Sequence, residues 1–313
     1  MARRLRFIPE GGALVEVTCR TIHGRFLLTP TKLLRSIVLG VLGRAQRLYP
    51  VELHAFVFMS NHYHLLLSVR DAHQLACFMN YLNSNLAREA GRVHRWREKF
   101  WGRRYQAIVV SPEEKAQVGR LRYILSHGCK ENLVARPRDW PGANSVRALV
   151  ETKKLCGMWF DRTRECGARV RGQEVEPTEF VSRETIRLFP IPCWQHLPER
   201  QYSAKVADLV TQIETDTAAK HTQNGTRPLG VKKILSQPVQ DRPMKLKREP
   251  APSFHTATET THREFAEAYH WFVGLYRQAT QKLRRGDLSA TFPLGSFPPR
   301  LPFVDSGSSL APG

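Results

Sequence analysis

The sequence predicts an α+β fold of the ferredoxin or RRM type, an antiparallel sheet with packed helices, over roughly residues 10–150. Two observations lead there. The hydrophobic period switches between strand-like and helix-like stretches in the order strand, helix, strand, strand, helix, strand, helix. The switches coincide with turn and capping residues that would end each element.

The first strand falls in "ALVEVTCRTIHGRFLL" (13–28), which alternates early and is rich in β-branched residues. Leu33, Leu34, Ile37, Val38, Val41 and Leu42 mark a helical stripe over 30–48. "VELHAFVFMS" and "HYHLLLSV" read as two strands of a hairpin joined at Met59, Ser60 and Asn61. Residues 71–91 predict a helix with Asp71 as N-cap and Gly91 as its stop. "YQAIVV" is a short strand. The segment from Ser111 then offers a cap, Pro112 at the first helical position and Glu114 three residues after the cap.

Beyond residue 150 the expected division is a C-terminal extension, 151–313, mainly helical, with a linker and a Pro-rich end. Residues 144–160 read as helical, as does 203–221, with Val206, Leu209, Val210 and Ile213 on one face. A linker rich in Pro, Lys and Arg follows over 222–257. A further helix carries Phe265, Tyr269, Phe272 and Tyr276 in line, with Thr261 and Glu264 as a capping box; that aromatic stripe reads as core. "FPLGSFPPRLPF" (292–303) reads as extended and polyproline-like.

Composition narrows the function. The 313 residues are 42% hydrophobic and 24% charged, as in a soluble globular protein. No run of 18 apolar residues predicts a membrane span, and "MARRLRFIPEGG" lacks the apolar core of a signal peptide. Six scattered cysteines without a CxxC fit reduced thiols in a cytosol, not a disulfide frame or a zinc ribbon. The formal net charge is +20, and residues 1–150 hold 24 basic against 10 acidic residues, so +14 of it lies in the first half. Such a surface suits a polyanion, most simply nucleic acid.

The hairpin strand "HYHLLLSV" puts His62 and His64 on one face and Tyr63 on the other, because side chains alternate along a strand. Two imidazoles at that spacing can grip one transition ion; equally, they can be polar residues on a solvated sheet face. On the helix after Ser111, Val118, Leu121 and Leu125 form the apolar stripe. At about 100° per residue, Tyr123 lies on another face, with Arg120 and His127 its neighbours at three and four residues. A tyrosine hydroxyl can attack a phosphodiester and become bonded to it, and a metal can stabilise the developing charge.

Taken together, "FVFMSNHYHLLL", "FWGRRYQAIVV" and "LRYILSHGCKENLVARPRDWPGANS" resemble the HUH single-tyrosine transposase family, in particular the IS200-like and REP-associated tyrosine transposases. The resemblance covers about residues 10–150, with the motifs in the family's order. It implies the HUH transposase fold, and an IS200-like catalytic domain over 1–150. It implies His62 and His64 as metal ligands and Tyr123 as nucleophile of a 5′-phosphotyrosine intermediate in DNA transposition. His127 stands where the family places an amide ligand, Gly128 where it places proline, and Ser60 where a proline precedes Asn61. The implied cofactor is a divalent ion, Mg or Mn, and a three-histidine set favours Mn or a late transition ion over Mg.

The implied partner is single-stranded DNA, bearing a hairpin, met by a monomer or homodimer in the bacterial cytoplasm at the nucleoid. "RVHRWREKFWGRRY" (92–105) interleaves Arg95, Arg97, Arg103 and Arg104 with Trp101, so that basic groups would track phosphates while rings stack on bases. Arg120 would add a phosphate contact. Tyr105 is a rival nucleophile, but no histidine follows it by four. Two other readings stay open from the residues alone. One is a domesticated DNA-binding or hairpin-binding protein of the same fold without transposition. The other is a metal-dependent hydrolase that uses a bound water.

Overall fold

The structure is a computed structural model and describes residues 5–244 and 252–299. The predicted order of elements holds: β1 (Ala13–Arg20), α1 (Lys32–Leu48), β2 (Glu52–Phe58), β3 (His62–Val69), α2 (Ala72–His94), β4 (Gln106–Val110) and α3 (Glu114–Leu125). The strands lie in the order β2-β3-β1-β4, and all three pairings are antiparallel. This is the split β-α-β arrangement of the ferredoxin type, in which each helix crosses over one face of the sheet.

Alternation along β1 and β3 sorts the two faces. Val15, Val17 and Cys19 join Tyr63, Leu65 and Leu67 in the larger core, with Leu34, Val38 and Leu42 of α1 and Leu75, Phe78 and Leu82 of α2. Leu14 and Leu66 face the other way, into a second core closed by Leu121, Ile124 and Leu125 of α3. His62 and His64 share parity with Leu66 and so stand on the α3 side.

Helix starts follow the capping residues with two corrections. Thr31 and Asp71 cap α1 and α2, accepting from the Leu34 and Gln74 amides. Ser111 does not cap α3. Its hydroxyl donates to Glu113 Oε2 at 2.7 Å, and Glu113 occupies the cap position. Because the helix begins only at Glu114, Ser111 lies two residues ahead of the cap position and its oxygen does not accept from the first-turn amides. Likewise the last long helix is capped by Thr258 and not Thr261. Gly91 does not stop α2, which runs to His94 and ends at Arg95 in the left-handed region, φ 52°.

After α3 come α4 (His127–Lys130) and α5 (Val146–Glu151). Residues 144–160 are therefore helical only in part. The rest is β5 (Leu155–Phe160), an alternating strand that pairs with β6 (Val181–Ile186) across α6 (Arg162–Val170). This second sheet lies on α1. A Cβ at Gly40 would collide with the Met158 carbonyl, and one at Gly157 with the Ser36 carbonyl, so backbone touches backbone there.

The remaining elements are α7 (Glu199–Asn224), α8 (Val231–Leu235), β7 (Phe254–His255) and α9 (Glu259–Arg284). Val206, Leu209, Val210 and Ile213 of α7 are buried in the second core, as their spacing predicts. The linker region holds α8 and β7, and its residues 245–251 lie outside the described ones. On α9 the aromatic stripe packs on Phe7 and Phe254: Phe272 to Phe7 at 5.4 Å and Phe265 to Phe254 at 5.4 Å between centroids. Tyr276 donates to the Phe297 carbonyl. The described part of the tail has a turn at Leu294–Gly295, with Gly295 at φ 74°; residues 300–303 of the polyproline-like stretch lie outside the described residues.

Both margins of the main sheet are occupied. β7 pairs in parallel with β4. Along β2, the Phe189 amide bonds the Leu53 carbonyl, the Ser145 amide bonds the Phe56 carbonyl, and the Phe58 amide bonds the Ala143 carbonyl. The six cysteines of the chain are all free, and no helix among the described residues is long and apolar enough to cross a membrane.

Candidate metal and tyrosine site

β1 and β3 place Arg20 opposite His62 and Thr18 opposite His64, while Glu16 sits one pair further along the same face. α3 lies over this face on Leu121, Ile124 and Leu125. Ser126 keeps helical angles, φ −80° and ψ −4°, and its amide bonds the Arg122 carbonyl. The chain thus turns smoothly from α3 into α4, and His127 stays one turn past Tyr123. Gly128 serves this turn: a Cβ there would lie 3.0 Å from Val134 Cγ2, and the buried Trp140 ring is next to it. The Gly128 carbonyl also accepts the Leu133 amide.

Three imidazoles therefore converge. One ligand-capable nitrogen from each of His62, His64 and His127 lies within 4.8 Å of the others. His62 Nε2 is 2.7 Å from His127 Nε2, and the His64 and His127 rings are 4.5 Å apart. The Tyr123 ring stands beside them, 5.4 Å from His64 and 5.2 Å from His127.

Fixed partners orient the rings. Asn61 Nδ2 donates to the Gly24 carbonyl, so its Oδ1 faces His62 Nδ1 at 2.6 Å. Glu16 Oε1 accepts from His64 Nδ1 at 2.8 Å. Each arrangement commits the Nδ1 proton and leaves Nε2 as a lone pair, the state in which imidazole binds a metal. His127 Nδ1 is buried without a hydrogen-bond partner. Three converging imidazoles, two of them pre-oriented, could hold a divalent ion.

Electrostatics agree. Desolvation, then the neighbouring imidazoles, hold His62 well below the ordinary histidine value. Burial, then His64 and Lys130, does the same for His127. Both are neutral and able to bind a metal at pH 7. Burial would raise Glu16, but close contacts with His255 and His64 outweigh it and keep the carboxylate ionised. Burial, then Glu16, raises the Tyr123 phenol above its ordinary value.

Arg120 does not extend free into the site: Nη1 lies 3.4 Å from Glu16 Oε2, and its guanidinium stacks over Tyr123 at 4.8 Å. Arg95, Arg97, Arg103 and Arg104 are exposed on the loop between α2 and β4. Trp101 is half-buried, donating Nε1 to the Asn83 carbonyl and packing edge-on to Tyr63 at 5.6 Å. Tyr105 packs with the α1 and α2 side of the sheet, across it from the histidines. Sequence reasoning passed over Glu16, Arg20 and His255. For the first two a signal was present, since Glu16, Thr18 and Arg20 share one parity of an otherwise apolar strand.

The site is thus a split β-α-β sheet with a His-x-His strand on one face, covered by a helix that bears a tyrosine and leads into a third histidine. Residues 25–127 match the family described as "Transposase IS200 like". A solved REP-associated tyrosine transposase bound to a REP hairpin is similar at 18% identity, covering 48% of this chain and 86% of its own, with a TM-score of 0.40. A Deinococcus radiodurans protein described as a transposase is 19% identical over 39% of this chain and 95% of its own, with a TM-score of 0.28. No curated protein matches the chain.

Proposed function

We propose that the chain is a metal-dependent single-stranded DNA endonuclease and strand transferase, with Tyr123 as its nucleophile. The observation that supports this most directly is the convergence of Tyr123, His62, His64 and His127 under one helix. In the proposed step the Tyr123 oxygen bonds to a backbone phosphorus and the bond to the 3′ oxygen breaks. The phenolic proton leaves as the new bond forms, and the departing 3′ oxygen takes up a proton. The 5′-phosphotyrosine ester keeps the energy of the broken linkage, so a 3′-OH reverses the step without ATP.

A divalent ion, Mg or Mn, held by His62, His64 and His127 would supply charge stabilisation at the phosphate. The chain's own groups do the rest. Glu16 and Asn61 hold two imidazoles in the metal-binding tautomer. Arg120, fixed by Glu16, stacks on Tyr123 and limits where its ring can point. Arg20, exposed beside His62, is placed to meet a phosphate. Arg95, Arg97, Arg103 and Arg104 would track the DNA backbone. Trp101 would offer stacking from the part of its ring left open. The DNA is read as a single strand with a hairpin, as the family resemblance implies, and the protein acts as a monomer or homodimer in the bacterial cytoplasm, at the nucleoid.

The test is covalent trapping. The purified chain is incubated with labelled hairpin DNA from its own genomic flanks and Mn or Mg, then denatured. A protein–DNA adduct that disappears in Tyr123→Phe is expected. Confirmed binding without any adduct would instead select a domesticated binding protein, and cleavage surviving in Tyr123→Phe would select a water-using hydrolase.

A further inference from the structure

β7 is two residues long, yet it touches both cores. It pairs with β4 so that Phe254 lies opposite Val109 and His255 opposite Val110, and the Ser111 amide donates to the His255 carbonyl at 2.9 Å. Alternation splits its side chains. Phe254 turns to the α1 and α2 side, where Phe7, Phe265 and Tyr269 surround it. His255 turns to the α3 side, where its Nε2 lies 2.8 Å from Glu16 Oε2, a close contact whose angle falls short of a well-aligned hydrogen bond.

Glu16 is thus shared. Oε1 accepts from His64 Nδ1, while Oε2 is approached by His255 at 2.8 Å and by Arg120 at the longer 3.4 Å. A buried carboxylate held at both oxygens has one orientation; held at one, it can rotate about its last bond and release its partner. A second tie comes from the same segment. Glu113, at the cap of α3, accepts from the Ala257 amide at 2.7 Å and the Thr261 hydroxyl at 3.1 Å. Residues 254–261 therefore hold both the strand side and the helix side of the site, although they lie far beyond the segment that matches the family.

We propose that His255 is a positioning residue: by holding Glu16 Oε2 it keeps Oε1 on His64 Nδ1 and so presents His64 Nε2 to a divalent ion. The C-terminal extension is then part of the catalytic centre. The metal-ion role rests on the function proposed above; the effect on the His64 ring does not.

The test uses the full chain and two variants, His255→Leu and His255→Gln. Gln keeps an N–H that can reach Glu16, and Leu does not. Imidazole proton–nitrogen NMR of the metal-free protein reads the His64 tautomer. A single Nδ1–H form is expected in the wild type and in His255→Gln, and a mixture in His255→Leu. Calorimetric titration with Mn should show about a 10–100-fold loss of affinity in His255→Leu, with His255→Gln close to the wild type. An unchanged His64 tautomer in His255→Leu overturns the proposal. Equal loss in both variants with a matching fall in melting temperature also overturns it, since β7 would then act only as a strand. If the wild type binds no Mn while the tautomer still shifts, the positioning role stands and the metal-centre reading fails.

Discussion

Asn61 Oδ1 lies 2.6 Å from His62 Nδ1, and the other end of the same amide is tied to the Gly24 carbonyl at 3.1 Å. The side chain cannot turn over without losing both bonds. His62 is therefore held with its proton on Nδ1, and the proton between the two Nε2 atoms of His62 and His127 belongs to His127.

Asn61→Ala should release that tautomer and weaken Mn binding by about 10–100-fold, in the range for a lost partner of a metal-ligating histidine. Calorimetric titration measures it. An affinity within a factor of two of the wild type would show that His62 needs no such partner.

DNA binding should weaken steeply with salt, because each phosphate contact releases a counterion. Arg103→Ala combined with Arg104→Ala should lower the slope of log K against log salt by about 1.4, at roughly 0.7 per contact for a single strand. Fluorescence anisotropy at several salt concentrations gives the slope. An unchanged slope would leave both arginines in a solvated loop.

His54 makes acid stability testable. It is fully buried, with Nδ1 at the Phe189 carbonyl and Nε2 at the Ser68 hydroxyl, and desolvation pushes its pKa down to about 4. The folded pKa is below the unfolded one, so the unfolded chain binds the extra proton. Stability is then full above pH 6.5 and falls as the pH drops towards 4, by about 1.4 kcal/mol per pH unit and roughly 3 kcal/mol in all. Denaturant unfolding across that range should show the fall, and His54→Asn should flatten it by one proton.

Gly157→Ala should destabilise by about 1–3 kcal/mol or more, because the added methyl overlaps the Ser36 carbonyl and the Gly40 amide, which are backbone and cannot swing away. Gly119→Ala is the control. Nothing lies within 4 Å of its Cβ, and within a helix the change should raise stability by about 0.5–1 kcal/mol. Urea midpoints compare the two.

Much of this arrangement was legible from residue order. Period-2 alternation places His62 and His64 together whatever else the chain does, and the four-residue spacing fixes Tyr123 against His127. What escaped was set by contacts between distant segments. His255 has no local pattern, and its role arises only once Phe254 is anchored by α9. The Ser111 cap failed for a similar reason, since Glu113 is drawn to Ala257 and Thr261, more than a hundred residues away. Residue order could not show that the Trp101 indole N–H is tied to a backbone carbonyl on α2 while part of its ring stays open. Residues 155–160 alternate cleanly, and reading them as a helical continuation underweighted that period. The strand is stabilised by β6 and by the close approach to α1.

The occupied outer margin of β2 has a consequence for assembly. At Leu53, Phe56 and Phe58 the outward-pointing main-chain groups are already bonded within the chain, and at the opposite margin β7 gives way after two residues to α9. Among the described residues, a second copy finds these positions of β2 already taken and cannot simply extend the main sheet there. A pair meeting at that margin would be joined by side-chain packing, and the relation between its two sites would not be set by a shared, continuous sheet.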